Sequence, residues 1–138
     1  MSRHVSRTPT RCPDERGSAA AELVIATPLL LLLILGIVQF ALWEHATHVA
    51  EAVAQQGLAA GRVQGGTEHG ATAEAQSVLH QLGSGVLAHP SVSATRGVVT
   101  TTVVVTGQAE AILPFLNLPV RAVATGPSER FTTAAQGP

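Results

Sequence analysis

Lysine and tyrosine are both missing from this chain of 138 residues, and only three phenylalanines, one tryptophan and one cysteine occur in it. Each shortage closes a class of explanation. With Cys12 alone, no internal disulfide and no CxxC-type metal site can form, so stability has to come from packing. Cys12 also precedes the main apolar run, the wrong side for a lipoprotein cysteine, and reads as a reduced cytosolic thiol. Charged residues make up 12% and the formal net charge is -1, with all eight basic residues arginine, so no broad basic field favours DNA or RNA. The glycines Gly65, Gly66 and Gly70 lack the GKS or GKT ending of a phosphate cradle. GxSxG and HExxH are absent as well, and no nucleophile has a base near it in sequence, so neither an enzyme nor a bound cofactor is expected.

What the chain does have is LVIATPLLLLLILGIVQFALW, Leu23 to Trp43, without a single charge. Its roughly 21 residues, at about 1.5 Å each, span about 30 Å of hydrocarbon. A core helix of a soluble protein would show a polar stripe, whereas Thr27 and Gln39 are the only strongly hydrogen-bonding side chains here. A cleaved secretory signal is the competitor, but the run exceeds the usual h-region of about 7 to 15 residues. The AVA that could precede a cut ends only at Ala54. Arg3, Arg7, Arg11 and Arg16 all lie before the run and no basic residue follows until Arg62, which orients the N-terminus to the cytoplasm.

The helical pattern continues beyond Trp43. Ala46, Val49, Ala50, Val53, Ala54, Gly57 and Leu58 recur at three and four, with Glu44, His45, His48, Glu51 and Gln55 between them. One helix is therefore expected to leave the membrane as an amphipathic rod and end near Gly61, ahead of the polar, glycine-rich GRVQGGTEHG. Gly57 and Gly61 have GxxxG spacing, which suits either a close helix contact or a fraying helix end. Glu44, His45, His48 and Glu51 read as a solvated face with a Glu44–His48 pair, not as a metal clamp. A second helix is expected over about Ala71 to Leu87, with Val78, Leu79, Leu82 and Val86 on one face. After Pro90 the chain turns to Val and Thr, which suit a pleated surface: strands near 91–95 and 98–110, a turn at Arg96–Gly97, and a short third strand in VRAVAT. The fold class is α+β: a long N-terminal helix, half transmembrane and half amphipathic and extracytoplasmic, a second short helix, and a small three-stranded antiparallel sheet.

Glu22 stands at the mouth of the apolar run. A carboxylate at the bilayer centre costs on the order of 2.5 to 3.5 kcal/mol, less at the edge, so a carboxylate here has either a role or merely an interfacial position near Arg16. Arg16, Gly17, Ser18, three alanines and Glu22 ahead of an unbroken apolar helix resemble the class III signal of type IV pilin-like proteins. The wider stretch from Glu15 to about Arg62 resembles the TadE-like pseudopilins of the tight-adherence, or Flp, pilus system, with their acidic-basic-glycine lead-in and an early proline, here Pro28, in a leucine-rich helix. Gln39 and Phe40 depart from the acidic or aromatic residue that often follows GIV in the family, and AAE replaces a branched residue before the glutamate.

The resemblance implies that a prepilin peptidase cuts between Gly17 and Ser18, leaving Glu22 as the fifth residue of the mature chain. The new ammonium on Ser18 would sit at a helix N-terminus, where the macrodipole disfavours it, and a carboxylate from Glu22 of the same or a neighbouring helix would offset it. Pro28 removes the hydrogen bond to the Val24 carbonyl and is expected to loosen or kink the helix. The expected organisation is a cytoplasmic leader (1–17), a transmembrane helix (18–43), its extension (44–61), a Gly-rich loop (62–70), an extracytoplasmic head (71–131) and a loose tail (132–138). The implied partners are prepilin peptidase, pilin and pseudopilin subunits, the inner-membrane assembly platform and the lipid bilayer, with no nucleic acid and no metal. An uncleaved signal-anchor protein with a binding head, and a β-rich domain released by signal peptidase, are the rival readings.

Overall fold

The computed structural model describes residues 15–130. Most of the leader, with Arg3, Arg7, Arg11 and Cys12, and the tail 132–138 lie outside the described residues. Five elements follow in order: α1 (Glu15–Arg62), α2 (Glu68–Leu82), β1 (Leu87–Arg96), β2 (Thr100–Ala109) and β3 (Pro119–Pro127). The strands form an antiparallel meander in the order β1-β2-β3. The α+β architecture expected from the sequence is the one observed.

Helix α1 belongs to two compact units, one ending at Ile34 and one beginning at Leu35. In the first, the side chains from Leu23 to Leu33 point outward on every side of the helix, and α1 runs through Pro28 without interruption. In the second, Ala46, Val49, Ala50, Val53, Ala54 and Leu58 are buried, which is the face that the three-and-four spacing marks out. That face packs on the inner side of the sheet, where alternation selects Thr101, Val103 and Val105 of β2 and Val120, Ala122 and Ala124 of β3. Helix α2 covers the β1 side and contributes Ala71 and Ala75 to the same core, with Val78 and Leu79 packed against it.

The GxxxG question resolves toward close contact. A Cβ added to Gly57 would stand 2.8 Å from Ala75 Cβ and 3.0 Å from the Ala71 carbonyl oxygen, and one on Gly61 would stand 2.8 Å from Ala71 Cβ. Gly57 and Gly61 thus face Ala75 and Ala71 in antiparallel register, small against small. The alanine-and-glycine face of α1 is what lets a sheet and a second helix both reach it.

Helix α2 begins and ends earlier than its apolar pattern predicts. Thr67 caps it, its hydroxyl accepting from Gly70 N–H at 2.9 Å, so the helix starts at Glu68 inside the stretch read as loop. It stops at Leu82: Gly83 still donates its N–H to the Leu79 carbonyl at 2.7 Å, and the chain then turns at Gly85, whose φ is 75, with Val86 N–H donating to the Gly83 carbonyl at 3.0 Å. Val86 and Leu87 therefore leave the helix, and Leu87 opens β1. That strand also begins ahead of the position expected after Pro90, pairing Leu87 with Ala109 across a register shift between Ala88 and Ser91. His89 takes up the irregularity at φ 50, and Pro90 is tolerated because β1 is an edge strand with a bulge there. The other strands match their expected places within two residues.

Polar groups fasten the end of the sheet nearest the C-terminus of α1. The Arg96 guanidinium donates to the Gly61 carbonyl, and Glu129 N–H donates to the Arg62 carbonyl at 2.7 Å, so two carbonyls freed by the end of α1 are satisfied. Glu68 accepts from Arg96 N–H at 2.7 Å, and the Ser128 hydroxyl donates to the Gly97 carbonyl at 3.0 Å. Gly57→Val, which forces branched carbons against Ala75 and the Ala71 carbonyl, is expected to destabilise the detergent-solubilised full chain by about 1–3 kcal/mol in denaturant unfolding. Gly36→Ala, with nothing within 4 Å of the new carbon, should leave the midpoint unchanged or slightly raised.

Candidate functional site

The segment expected to be processed is the start of α1. Backbone helix extends through Glu15, Arg16, Gly17 and Ser18, and Gly17 is exposed with open space around its Cα. The side chains of Arg16 and Ser18 lie outside the described set. Glu22 is exposed and stands four residues after Ser18, one helical turn on, so the two share a face. This is the spacing at which a carboxylate reaches the first turn of a helix that begins at Ser18.

From Leu23 the helix surface is apolar without a wet stripe. Leu23, Val24 and Ile25 are between 65% and 73% exposed, and Leu29 to Leu33 are exposed as well. An exposed apolar band of this length does not persist on a soluble surface. Among the described residues, α1 is the helix long and apolar enough to cross a membrane. Its backbone hydrogen bonds close within the segment, the condition that hydrocarbon imposes.

The end of the uncharged stretch holds a feature the sequence reading passed over. Gln39, one of the two strongly hydrogen-bonding side chains of the run, is fully buried. Its Nε2 donates to the Glu110 carbonyl at 3.2 Å, while Oε1 accepts from Ile112 N–H at 2.9 Å and from Leu113 N–H at 3.4 Å. One turn further, Trp43 Nε1 donates to the Pro119 carbonyl at 3.1 Å, and its ring lies 5.7 Å from that of Phe40. Gln39 and Trp43 therefore hold the two ends of the β2–β3 connection against α1. A lone amide in an otherwise uncharged run was the available signal, since such a group in an apolar segment has a partner by default.

The wet face beyond Trp43 is as expected. His48 lies 3.2 Å from a Glu44 carboxylate oxygen and 3.6 Å from one of Glu51, all three side chains about half exposed or more. Such exposed pairs contribute little to stability.

Gln39→Leu removes all three bonds and leaves the part-buried Ile112 N–H and Glu110 carbonyl without their partner. It should cost about 1–3 kcal/mol in unfolding and accelerate amide exchange at Ile112 and Leu113 more than at Val103. Uniform exchange rates across the variant would show that Gln39 does not hold the connection.

Compared with known proteins, residues 17–58 match a family model described as TadE-like protein. The matched stretch opens on the glycine of the processing segment and closes on Leu58, the last buried hydrophobic side chain of α1. No curated protein and no solved structure matches the chain.

Proposed function

We propose, from the match of residues 17–58 to the TadE-like family model, that the chain is a minor pseudopilin or assembly component of an Flp-type pilus or related secretion system, matured by a prepilin peptidase. The family itself supports a component associated with Tad pili. The observation that carries the finer reading is that Gly17, Ser18 and Glu22 lead without a break into a single apolar helix, in the order the family's processing signal requires.

In this reading the peptidase hydrolyses the Gly17–Ser18 bond at the cytoplasmic face, leaving a carboxylate on Gly17 and an ammonium on Ser18. Glu22, one turn along the same face, offsets that ammonium while helices pack in a medium where an unpaired charge is costly. The apolar helix holds the subunit in the membrane, N-terminus in the cytoplasm and head outside, until it packs against helices of other pilin subunits on the assembly platform. The protein works by assembly and performs no catalysis. A release by signal peptidase after Ala54 fits poorly, because it would strip Ala46, Val49, Ala50 and Val53 from the core.

N-terminal sequencing of the mature protein from a host with its own prepilin peptidase tests the reading. A start at Ser18 is expected, and an intact N-terminus would point instead to an uncleaved anchor protein. Gly17→Ala should accumulate at the full-length mass, and normal processing of that variant would sink the proposal. Glu22→Gln is expected to be cut normally yet to lower recovery in sheared pilus fractions or in pull-downs with other pilin subunits by at least about tenfold, the equivalent of one lost charge pair of roughly 1.4 kcal/mol.

A further inference from the structure

The connection from Glu110 to Leu118 joins β2 to β3 and is tied to α1 at Gln39, inside the uncharged stretch of the helix. Glu44 is the first charged residue after that stretch and stands five residues past Gln39, about 7 Å further along the helix. The connection's backbone is thus fastened on the lipid side of the first charge. From Ala111 to Val120 it carries no charged residue, and its sequence AILPFLNLPV is apolar apart from Asn117. Phe115 is 75% exposed and Ile112 49%, and Phe40 on the neighbouring helix surface is 60% exposed.

Irregular backbone near hydrocarbon is tolerated only where its polar groups are met by protein. Here the Ile112 and Leu113 N–H groups donate to Gln39, Glu110 N–H donates to the Val86 carbonyl at 3.2 Å, and Leu116 N–H donates to the Leu113 carbonyl at 2.9 Å. Pro114 has no N–H to satisfy. Trp43, hydrogen-bonded to the Pro119 carbonyl, occupies the position that interfacial aromatics favour, with one end apolar and the other wet.

We infer that the Ala111–Leu118 connection is a second membrane contact, its Ile112 and Phe115 side chains inserted into the outer-leaflet interface beside the point where α1 emerges. The occupant is the lipid bilayer, because the exposed apolar surface from Ile112 to Phe115 lies beside the apolar helix at Phe40 and, past Glu110 at its start, is tied to α1 ahead of that helix's first charge at Glu44. The proposal rests on α1 crossing the membrane. It adds that the head is seated on the bilayer by two elements, with Gln39 meeting the Ile112 and Leu113 N–H groups on the helix side of the second one and its remaining N–H groups left to the water of the interface.

The test uses the full chain in a Cys12→Ser background, reconstituted into vesicles of phosphatidylethanolamine and phosphatidylglycerol, with a nitroxide on Phe115→Cys, Ile112→Cys, Leu30→Cys or Val99→Cys in turn. Oxygen concentrates in lipid and a neutral nickel chelate stays in water, so the ratio of the two collision rates reports depth. Leu30 monitors the helix, and Val99, 73% exposed in the β1–β2 turn, monitors the water-facing end of the head. The expected ratio at Phe115 and Ile112 is several-fold above that at Val99 and below that at Leu30. A lipid-like ratio at Leu30 with Phe115 and Ile112 equal to Val99 overturns the inference and leaves the membrane helix standing. Shielding of both positions from both reagents identifies a protein contact and also overturns it. A water-like ratio at Leu30 overturns the membrane reading and the inference together.

Discussion

One helix has to satisfy two solvents, and the rest of the fold is arranged around that demand. In hydrocarbon the backbone must close its hydrogen bonds within the segment, which makes α1 helical and lets its side chains be apolar all round. Beyond the apolar run the same helix keeps only one apolar face, changing from a full apolar surface to a stripe between Gln39 and Ala46. The stripe is made of Ala, Val, Gly and one Leu, so it is nearly smooth. A smooth face admits the sheet along its length and α2 at its end, where Gly57 and Gly61 meet Ala75 and Ala71 with no room for another carbon.

Length then fixes where the sheet is held. From Gln39 to Gly61 the helix rises about 33 Å, and from Thr101 to Glu110 the extended chain covers about 31 Å. The two elements come out nearly equal, so one set of polar contacts can close each end. Arg96 and Glu129 close the end at Gly61 and Arg62, and Gln39 and Trp43 close the end at Glu110 and Pro119. Between them the contacts are almost wholly apolar. Moving β2 by one residue against its neighbours would turn Val103 and Val105 outward, so the end contacts and the alternation select the same register.

The sheet and α2 are attached along the helix from Gln39 onward, not hung from its last residue. The matched family segment ends where the buried face of α1 ends, which places the sheet and α2 outside it.

By itself the sequence determined whatever depends on near neighbours. Hydropathy along Leu23 to Trp43 marks the exposed apolar run of α1, three-and-four spacing marks the buried face from Ala46 to Leu58, and β-branched alternation marks β2 and β3. It misplaced the end of α2 because apolar periodicity continued through Val86, although Gly83 and Gly85 carried the stop signal. Only the tertiary structure decided what lies across the gap in sequence. Gln39 meets backbone groups 71 to 74 residues away, and Gly57 faces α2 instead of ending a helix. The physical reason is that propensity and periodicity act within a turn or a strand, whereas a buried amide finds its partner only after strand register and loop length have brought one to it.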